Sequence, residues 1–383
     1  MFWISWRRGR KSVLDTEIIS KIASRLFPAR TELTWNIKDV PPEERFWVIS
    51  GKVGPRWIIP QNPQYGWPVL RQWRPYDFSS RLKWVAITAA YRTGRVGMLP
   101  GVAGVGVAGL SDSTWEHMGL RKDASPVPSI YVGTPGPTRK AVATLVAGVG
   151  HQAVSVVKVP LGPRAAGNIL REANILERLA SEKPGLAPSL IFVDREKGVA
   201  IQEMVEGQPT GRKLTRLHME WLTGLRIPGE ETSLREQAER LVLRLESLTS
   251  IGTETRSLLG DLLEELDDPN PLPAVWVHGD FAPWNIMGHG PLLSLVDWED
   301  AQSRALPFLD IMHYYWIQRF LSRRKRLSIV KSKVIRICKP YIDGYQLPHH
   351  LLDMIEKLYM VFQVVERLQN DSRDQYSLFL MDY

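Results

Sequence analysis

Three oxygen-bearing side chains lie close together in the last third of the sequence. Asp280 is followed five residues later by Asn285 and twelve residues after that by Asp297. Phosphoryl transfer requires such a set: one carboxylate accepts or orients the proton of an attacking hydroxyl, while an amide oxygen and a second carboxylate hold the magnesium ion of a nucleotide. The residue types therefore predict Asp280 as the catalytic base and Asn285 and Asp297 as metal ligands.

Two short apolar runs would position these side chains. Residues 274–277 lead into the sequence His-Gly-Asp at 278–280, and residues 292–296 lead into Asp297. Apolar runs of this length that end in polar residues are typical of buried strands. Residue types, order, spacing and flanking runs all agree, which argues against two strands with acidic turns by chance. The more serious alternative is a pseudokinase that retains this loop without activity.

The spacing Asp-x4-Asn followed by Asp is that of the kinase catalytic loop and its metal aspartate. Here His-Gly-Asp at 278–280 replaces His-Arg-Asp, and Asp-Trp-Glu at 297–299 replaces Asp-Phe-Gly. With these residues the sequence resembles the aminoglycoside phosphotransferase and choline kinase family, which are small-molecule kinases with a protein-kinase-like fold. The resemblance spans residues 129–320. It implies an α+β, bilobal fold with a small antiparallel β lobe and a mainly helical lobe.

The chain is long enough for more than one domain. Its 383 residues exceed the length of an average domain. We predict an N-terminal α/β extension over residues 1–125, which lies outside the resemblance. A nucleotide-binding small lobe with its hinge is predicted over residues 126–208, and a helical catalytic and substrate lobe over residues 209–383.

The N-terminal extension contains regular patterns but no clear chemistry. Helices are predicted over 14–26 and 82–90, and a β-hairpin over 45–60. Seven of the nine tryptophans in this region, those from Trp35 to Trp115, fit packing, and stacking on a sugar or ring substrate is the alternative. Residues 104–109 match G-x-G-x-x-G, but neither a clean strand nor a helix flanks them. We therefore interpret residues 104–109 as a flexible or tightly turned apolar linker.

The small lobe contains the candidate phosphate-binding residues. Strands are predicted over 129–132, 140–146 and 153–159, and a turn with Gly133 and Gly136 separates the first two. In the order typical of a kinase small lobe, the third strand ends near a lysine, Lys158, whose ammonium group would pair with the nucleotide phosphates. An exposed lysine at a strand end is the alternative, and the valines around Lys158 argue against it.

The resemblance implies further nucleotide-binding residues. Glu172, at the edge of the buried face of a helix predicted over 166–180, would form an ion pair with Lys158, with Glu177 as the competing partner. The segment 199–207 would be the hinge between the lobes, where backbone groups of Glu203 and Val205 bind the adenine edge. The glycine turn also contains Pro135 and Pro137, which lack backbone N–H donors for phosphates.

Helical patterns dominate the rest of the chain. They cover residues 211–224, 232–249, 255–266 and 348–366. A further helix opens near Asp310, where the resemblance implies an aspartate that supports the catalytic loop. An acidic residue favoured by the helix dipole is the simpler alternative. Only about ten residues separate Asp-Trp-Glu from this helix, too few for an activation loop, which argues against a protein kinase.

Composition limits the compartment and the partners. A single cysteine, Cys338, excludes an internal disulfide framework and fits a reducing compartment. No apolar run is long enough to span a bilayer, and the basic residues near Met1 are not followed by the apolar segment of a secretory signal. We therefore expect a cytoplasmic protein. The net charge of +8 favours anionic partners.

The segment 319–339 concentrates nine of the basic residues and contains no acid. Its apolar residues recur at helical spacing, so the segment is either the solvated face of a surface helix or a docking face for an anionic substrate, membrane or polymer. Aromatic residues are sparse in it, which makes nucleic-acid binding the weaker interpretation. The charge also argues against a strongly cationic acceptor.

Together these residues predict a kinase that uses ATP or GTP with Mg2+ to phosphorylate a hydroxyl of a small molecule. A sugar or glycan precursor is the preferred acceptor, on the aromatic content alone. The alternative is a catalytically weak, nucleotide-binding regulatory or scaffold protein.

Overall fold

The chain divides into two compact units, Met1–Pro209 and Thr210–Tyr383. An antiparallel sheet dominates the first unit and helices the second, so the predicted α+β class is confirmed. The computed structural model describes residues 13–27, 31–51, 53–73, 75, 78–110, 115–120, 126–148, 150–248, 251–322, 331–369 and 375–381. Residues 323–330 of the predicted basic segment lie outside these ranges.

The first unit is built on one nine-stranded sheet whose neighbouring strands are antiparallel. The order is β1-β4-β2-β3-β5-β6-β7-β9-β8. The strands are β1 (Glu32–Thr34), β2 (Arg45–Gly51), β3 (Gly54–Pro60), β4 (Val102–Ala108), β5 (Val127–Val132), β6 (Lys140–Val146), β7 (Ala153–Pro160), β8 (Leu190–Asp194) and β9 (Val199–Glu203); a two-residue strand, β10 (Gln208–Pro209), ends the unit. Strands β3 and β5 pair directly, so residues on both sides of the predicted boundary at 125/126 share this sheet.

The glycine-rich segment 104–109 is a strand and not a linker, so that prediction was wrong. Residues 102–108 form β4, which pairs with β1 on one side and with β2 on the other. Its glycines allow neighbouring side chains to pack onto the backbone: a Cβ added at Gly104 would lie 2.8 Å from Ile37, and one at Gly106 would lie 2.6 Å from Val40. A strand can use glycine for such close approach, and sequence pattern does not reveal it.

Four helices cover the described faces of this sheet: α1 (Val13–Leu26), α2 (Pro63–Leu70), α3 (Phe78–Arg92) and α4 (Ala165–Glu182). Ile22 of α1 shares a hydrophobic cluster with Val157 and Ile201, whereas α4 packs on Ala200. Because successive side chains of a strand point to opposite faces, α1 and α4 lie on opposite sides of the sheet. A third cluster holds β3, α2 and α3 together.

The tryptophans of the N-terminal region serve mainly as packing. Trp57, Trp84 and Trp115 are buried, and Trp57 contacts the rings of Trp73 and Trp84 at centroid distances of 5.3 and 5.1 Å. Large aromatic side chains contribute much of the buried apolar area of a core. The observed burial therefore favours the packing interpretation over substrate stacking.

The second unit contains seven described helices: α5 (Arg216–Thr223), α6 (Leu234–Ser247), α7 (Thr253–Glu264), α8 (Leu309–Ser322), α9 (Lys331–Gly344), α10 (His349–Gln369) and α11 (Gln375–Met381). Its strands are β11 (Arg226–Thr232), β12 (Leu272–Val277), β13 (Ile286–His289), β14 (Leu292–Leu295) and β15 (Gln302–Ala305). Strand β12 lies between β11 and β15, and β13 and β14 form a hairpin. No helix in the described ranges combines the length and apolarity needed to cross a bilayer.

Helix α9 contains the described end of the basic segment and behaves as a surface helix. Two of its own residues, Val334 and Cys338, are buried on the inner face of the helix. On its exposed side Lys339 pairs with Asp343 at 2.9 Å, and Lys331 pairs with Asp353 at 2.9 Å. Part of the positive charge is therefore neutralised within the chain, as expected for a solvated helix face.

Candidate active site

Strand β12 delivers the candidate catalytic loop at its buried end. The backbone N–H of His278 donates to Asp310 Oδ2 at 2.8 Å, and that of Gly279 donates to Asp310 Oδ1 at 3.0 Å. Asp310 lies in the first turn of α8 and is buried. One carboxylate thus fixes two consecutive backbone amides, and the loop is anchored directly to a helix.

Gly279 is required by the backbone of this loop. Its φ of +82° is strained for residues with a side chain, and an added Cβ would lie 2.3 Å from the carbonyl oxygen of Asp300. The arginine found in protein kinases would clash there, which explains the sequence His-Gly-Asp in physical terms.

Both carboxylate oxygens of Asp280 accept hydrogen bonds. Asn285 Nδ2 donates to Oδ2 at 2.8 Å and to the Asp280 carbonyl at 3.0 Å, and His313 Nε2 donates to Oδ1 at 2.9 Å. The Asp280 side chain retains 31% of its exposure to solvent. Because a carboxylate has about four acceptor positions, two donors leave room for a substrate hydroxyl.

Electrostatics keep Asp280 ionised. Burial alone would raise the pKa of Asp280, but the hydrogen bond and charge of His313, together with His278, outweigh it. The pKa of Asp280 therefore lies below its ordinary value, although the negative charge of Asp297 acts to raise it. An ionised carboxylate within reach of solvent is the form that a general base needs.

His278 joins the ends of the two strands that carry the site. It is fully buried, and burial lowers its pKa to about 4. The neutral ring donates through Nε2 to the carbonyl of Val296 at 3.1 Å and accepts at Nδ1 from the N–H of Asp280 at 3.3 Å. The Val296 N–H in turn donates to the Asn285 carbonyl at 3.0 Å. These bonds place Asp297 next to the loop of Asp280 and Asn285.

The donor set at this point fits a magnesium ion. Asn285 uses its Nδ2 group toward Asp280, so its amide oxygen takes no part in those bonds. Asp297, half-buried and at a φ of 71°, supplies a second hard oxygen donor. Mg2+ is commonly held by one or two protein oxygens together with phosphates and water. Among the described residues, no group of three or more His, Cys, Asp or Glu side chains is placed to hold a metal ion.

In the first unit, the structure brings Lys158 and Glu172 together. Lys158 Nζ lies 2.6 Å from both Glu172 carboxylate oxygens, and the two residues retain only 5% and 2% of their exposure. Lys158 extends from β7 and Glu172 from the buried face of α4. The competing acid, Glu177, is exposed and pairs with Arg195 at 3.4 Å.

The turn between β5 and β6 is tied to its flanking strands. The Gly133 N–H donates to the Lys140 carbonyl at 2.9 Å, and the Arg139 N–H donates to the Gly136 carbonyl at 3.2 Å. In the hinge segment, the Glu203 N–H donates to the Ser189 carbonyl at 2.9 Å. That N–H is therefore already used, which leaves the Glu203 carbonyl and the backbone of Val205 as candidates for binding a base.

Two residues of the site, His313 and Tyr359, were not predicted from the sequence. His313 and Asp310 lie three residues apart on α8 and therefore on the same helix face. Helical spacing from Asp310 is the only signal that could have identified His313. The contacts of His313 with Tyr359 of α10 have no signal in the local sequence.

Residues 144–323 match the sequence model of a family described as the phosphotransferase enzyme family. The match confirms the predicted resemblance. No curated protein matches the chain.

Several solved structures are similar to this chain. An ADP-bound aminoglycoside phosphotransferase is 14% identical, with a TM-score of 0.43, and the match covers 66% of this chain and 90% of that one. A choline kinase from Streptococcus pneumoniae is 16% identical, with a TM-score of 0.42 and coverages of 65% and 89%. A macrolide 2'-phosphotransferase from Brachybacterium faecium is 15% identical, with a TM-score of 0.45 and coverages of 66% and 89%.

Proposed function

We propose that this chain, whose residues 144–323 carry the sequence of a phosphotransferase family, is a kinase that transfers the γ-phosphate of ATP or GTP to a hydroxyl of a small molecule. The observation that carries the proposal is the environment of Asp280. This carboxylate is ionised, partly exposed and held on both oxygens by neutral or cationic donors.

Asp280 acts as the general base. It accepts a hydrogen bond from the acceptor hydroxyl, orients the oxygen toward the γ-phosphorus, and takes up the proton. The new P–O bond forms as the bond from the γ-phosphorus to the bridging oxygen breaks, and the nucleoside diphosphate leaves with that oxygen. The Asn285 amide keeps the carboxylate in place during this step. Most of the acceleration then comes from positioning and charge stabilisation, as in other phosphoryl transfers.

Asn285 and Asp297 would hold the Mg2+ ion that accompanies the nucleotide. When bound, the ion neutralises charge on the phosphate oxygens. The amide oxygen and the carboxylate are the chain's own contribution to its coordination. In the hairpin of β13 and β14, Ile286 pairs with Leu295, so Asn285 and Asp297 flank the same end of the hairpin.

Lys158 would bind the nucleotide phosphates, with Glu172 holding its ammonium group in position. The turn with Gly133 and Gly136 would cover the phosphates, and the backbone at Glu203 and Val205 would meet the base. Pro135 and Pro137 reduce the number of backbone N–H donors in that turn. Lys158 would therefore contribute a larger share of the phosphate binding than it would beside a turn made mainly of glycine.

The acceptor is proposed as a hydroxyl-bearing small molecule of the cytoplasm. The sugar preference depended on aromatic content, and the burial of Trp57 and Trp84 weakens it. Contact with an anionic membrane or polymer through 319–339 would depend, among the described residues, on Lys333 and Arg336, which are exposed. A nucleotide-binding scaffold is not favoured, because the chain retains its complete set of polar candidates.

The test is Asp280→Asn in a phosphotransfer assay with Mg-ATP and Mg-GTP over a panel of sugars, amino alcohols and glycosides. We expect kcat to fall at least about 100-fold, the usual contribution of a general base, with nucleotide binding retained in a thermal-shift assay. Asp261→Asn, at an exposed position of α7, is the matched control. Turnover by Asp280→Asn at the wild-type rate would contradict the assigned role, and nucleotide binding without turnover by the wild type would favour a scaffold.

A further inference from the structure

A buried histidine contacts the candidate base from the side opposite Asn285. His313 Nε2 lies 2.9 Å from Asp280 Oδ1, whereas Asn285 binds Oδ2. The ring of His313 is buried, with 4% of its surface exposed. Because an ionised carboxylate only accepts hydrogen bonds, His313 Nε2 is the donor.

The histidine is itself held by two tyrosines from the C-terminal helices. His313 Nδ1 lies 3.1 Å from the hydroxyl of Tyr359 on α10, and that hydroxyl lies 2.8 Å from the hydroxyl of Tyr376 on α11. Both tyrosines are buried. A continuous chain of hydrogen bonds therefore runs from Asp280 through His313 and Tyr359 to Tyr376.

Every proton in this chain has an acceptor. With a neutral ring, Tyr376 donates to Tyr359, Tyr359 donates to His313 Nδ1, and Nε2–H donates to Asp280. In this arrangement each of the three protons has an acceptor within the chain, because a tyrosine hydroxyl is both donor and acceptor.

We infer that His313, supported by Tyr359 and Tyr376, is a positioning residue. It holds the carboxylate of Asp280 in the orientation that accepts the proton of the acceptor hydroxyl. The inference rests on the proposed function, in which Asp280 is the base. With donors on both oxygens, from Asn285 and from His313, the carboxylate cannot rotate without losing one of two partly buried hydrogen bonds. Correct orientation of a reacting group contributes much of the rate of a positioned reaction.

The size of the histidine also matters for the design of a test. His313 and Tyr359 form part of the wall of a 140 Å³ cavity that also contacts Gly279. Truncation of His313 to alanine would enlarge this cavity and disturb packing. Leucine fills a similar volume without a donor, whereas glutamine places an N–H group near the position of Nε2.

The experiment compares His313→Leu, His313→Gln and Tyr359→Phe with the wild type. We expect His313→Leu to lower kcat about 10- to 100-fold, as loss of a hydrogen bond to a charged group would, with the KM for nucleotide changed less than about threefold. His313→Gln should recover most of kcat. Tyr359→Phe should give an intermediate loss, because it removes the support one step from Asp280.

A second measurement separates this inference from the proposed function. Crystal structures of wild type and His313→Leu report the orientation of the Asp280 carboxylate, whether or not an acceptor is known. The expected result is a rotated or disordered carboxylate in the leucine variant alone. An unchanged carboxylate, an unchanged kcat, or equal losses in the leucine and glutamine variants would overturn the role of His313. Absence of phosphotransfer by the wild type would instead count against the kinase.

Discussion

The buried ion pair of Lys158 and Glu172 has an energetic cost that the proposed role of Lys158 in nucleotide binding would explain. Two charges removed from water are costly unless each satisfies the other, and here Nζ lies 2.6 Å from both carboxylate oxygens. Apolar side chains would fill the same space at less cost. We propose that the charges lie between β7 and α4 because a ligand needs the ammonium group.

This explanation predicts different outcomes for single and double replacement. Lys158→Met removes the ammonium group that pairs with the buried Glu172 carboxylate and should lower the free energy of unfolding by about 3–5 kcal/mol. Adding Glu172→Leu should restore most of that stability without restoring nucleotide binding. Urea unfolding and nucleotide titration measure the two effects. A double variant that binds nucleotide normally would refute the role assigned to Lys158.

At the scale of elements, the start of α5 depends on a neutral histidine. The pattern predicted a helix from 211, but the helix begins at Arg216 because Thr215 caps it. The Thr215 N–H donates to His218 Nδ1 at 3.1 Å, which requires Nδ1 without a proton. His218 is buried, and burial lowers its pKa to about 4. Protonation would break the cap.

The pH dependence follows from the lowered pKa of His218. The unfolded chain takes up this proton near pH 6.5 and the folded chain only near pH 4, so the stability from the neutral ring is present above about pH 6.5 and is lost as the pH falls toward 4. Between pH 7 and pH 5, wild type should lose about 2 kcal/mol more unfolding free energy than His218→Gln. Urea titrations at both pH values measure the difference. His278, whose pKa is also about 4, contributes equally to both proteins. Equal pH dependence in the two would contradict the assignment.

At the scale of the whole molecule, the N-terminal region is part of the sheet that carries Lys158. Strand β3 pairs with β5, and one hydrophobic cluster contains Ile22 and Ile58 together with Ile130 and Val157. The first compact unit accordingly extends to Pro209. The extension is therefore a structural component of the sheet rather than an appended module.

Removal of residues 1–125 should therefore destabilise the sheet that remains. The truncation would expose the edge of β5 and half of a shared core, and an unpaired strand edge with exposed apolar residues favours aggregation. We expect the shortened protein to aggregate or to lose the cooperative thermal transition of the full chain, as measured by light scattering and calorimetry. A soluble shortened protein with unchanged thermal stability and nucleotide binding would show that the extension folds separately.

The sequence alone determined the features that depend on neighbours along the chain. Asp280, Asn285 and Asp297 could be predicted as neighbours because only a short loop and a hairpin separate them along the chain. The family resemblance implied the pair of Lys158 and Glu172, and helical periodicity favoured Glu172 over Glu177 because Glu172 lies at the edge of the buried face. These are local relations, and spacing expresses them directly.

Only the tertiary structure decided the remaining relations. His313 meets Asp280 across 33 residues, and Tyr359 meets His313 across 46. Strand β4 lies between β1 and β2, where close packing by Ile37 and Val40 requires its glycines. Contacts of this kind depend on how helices and strands pack in three dimensions, and neither periodicity nor residue type encodes which distant partner a side chain will meet.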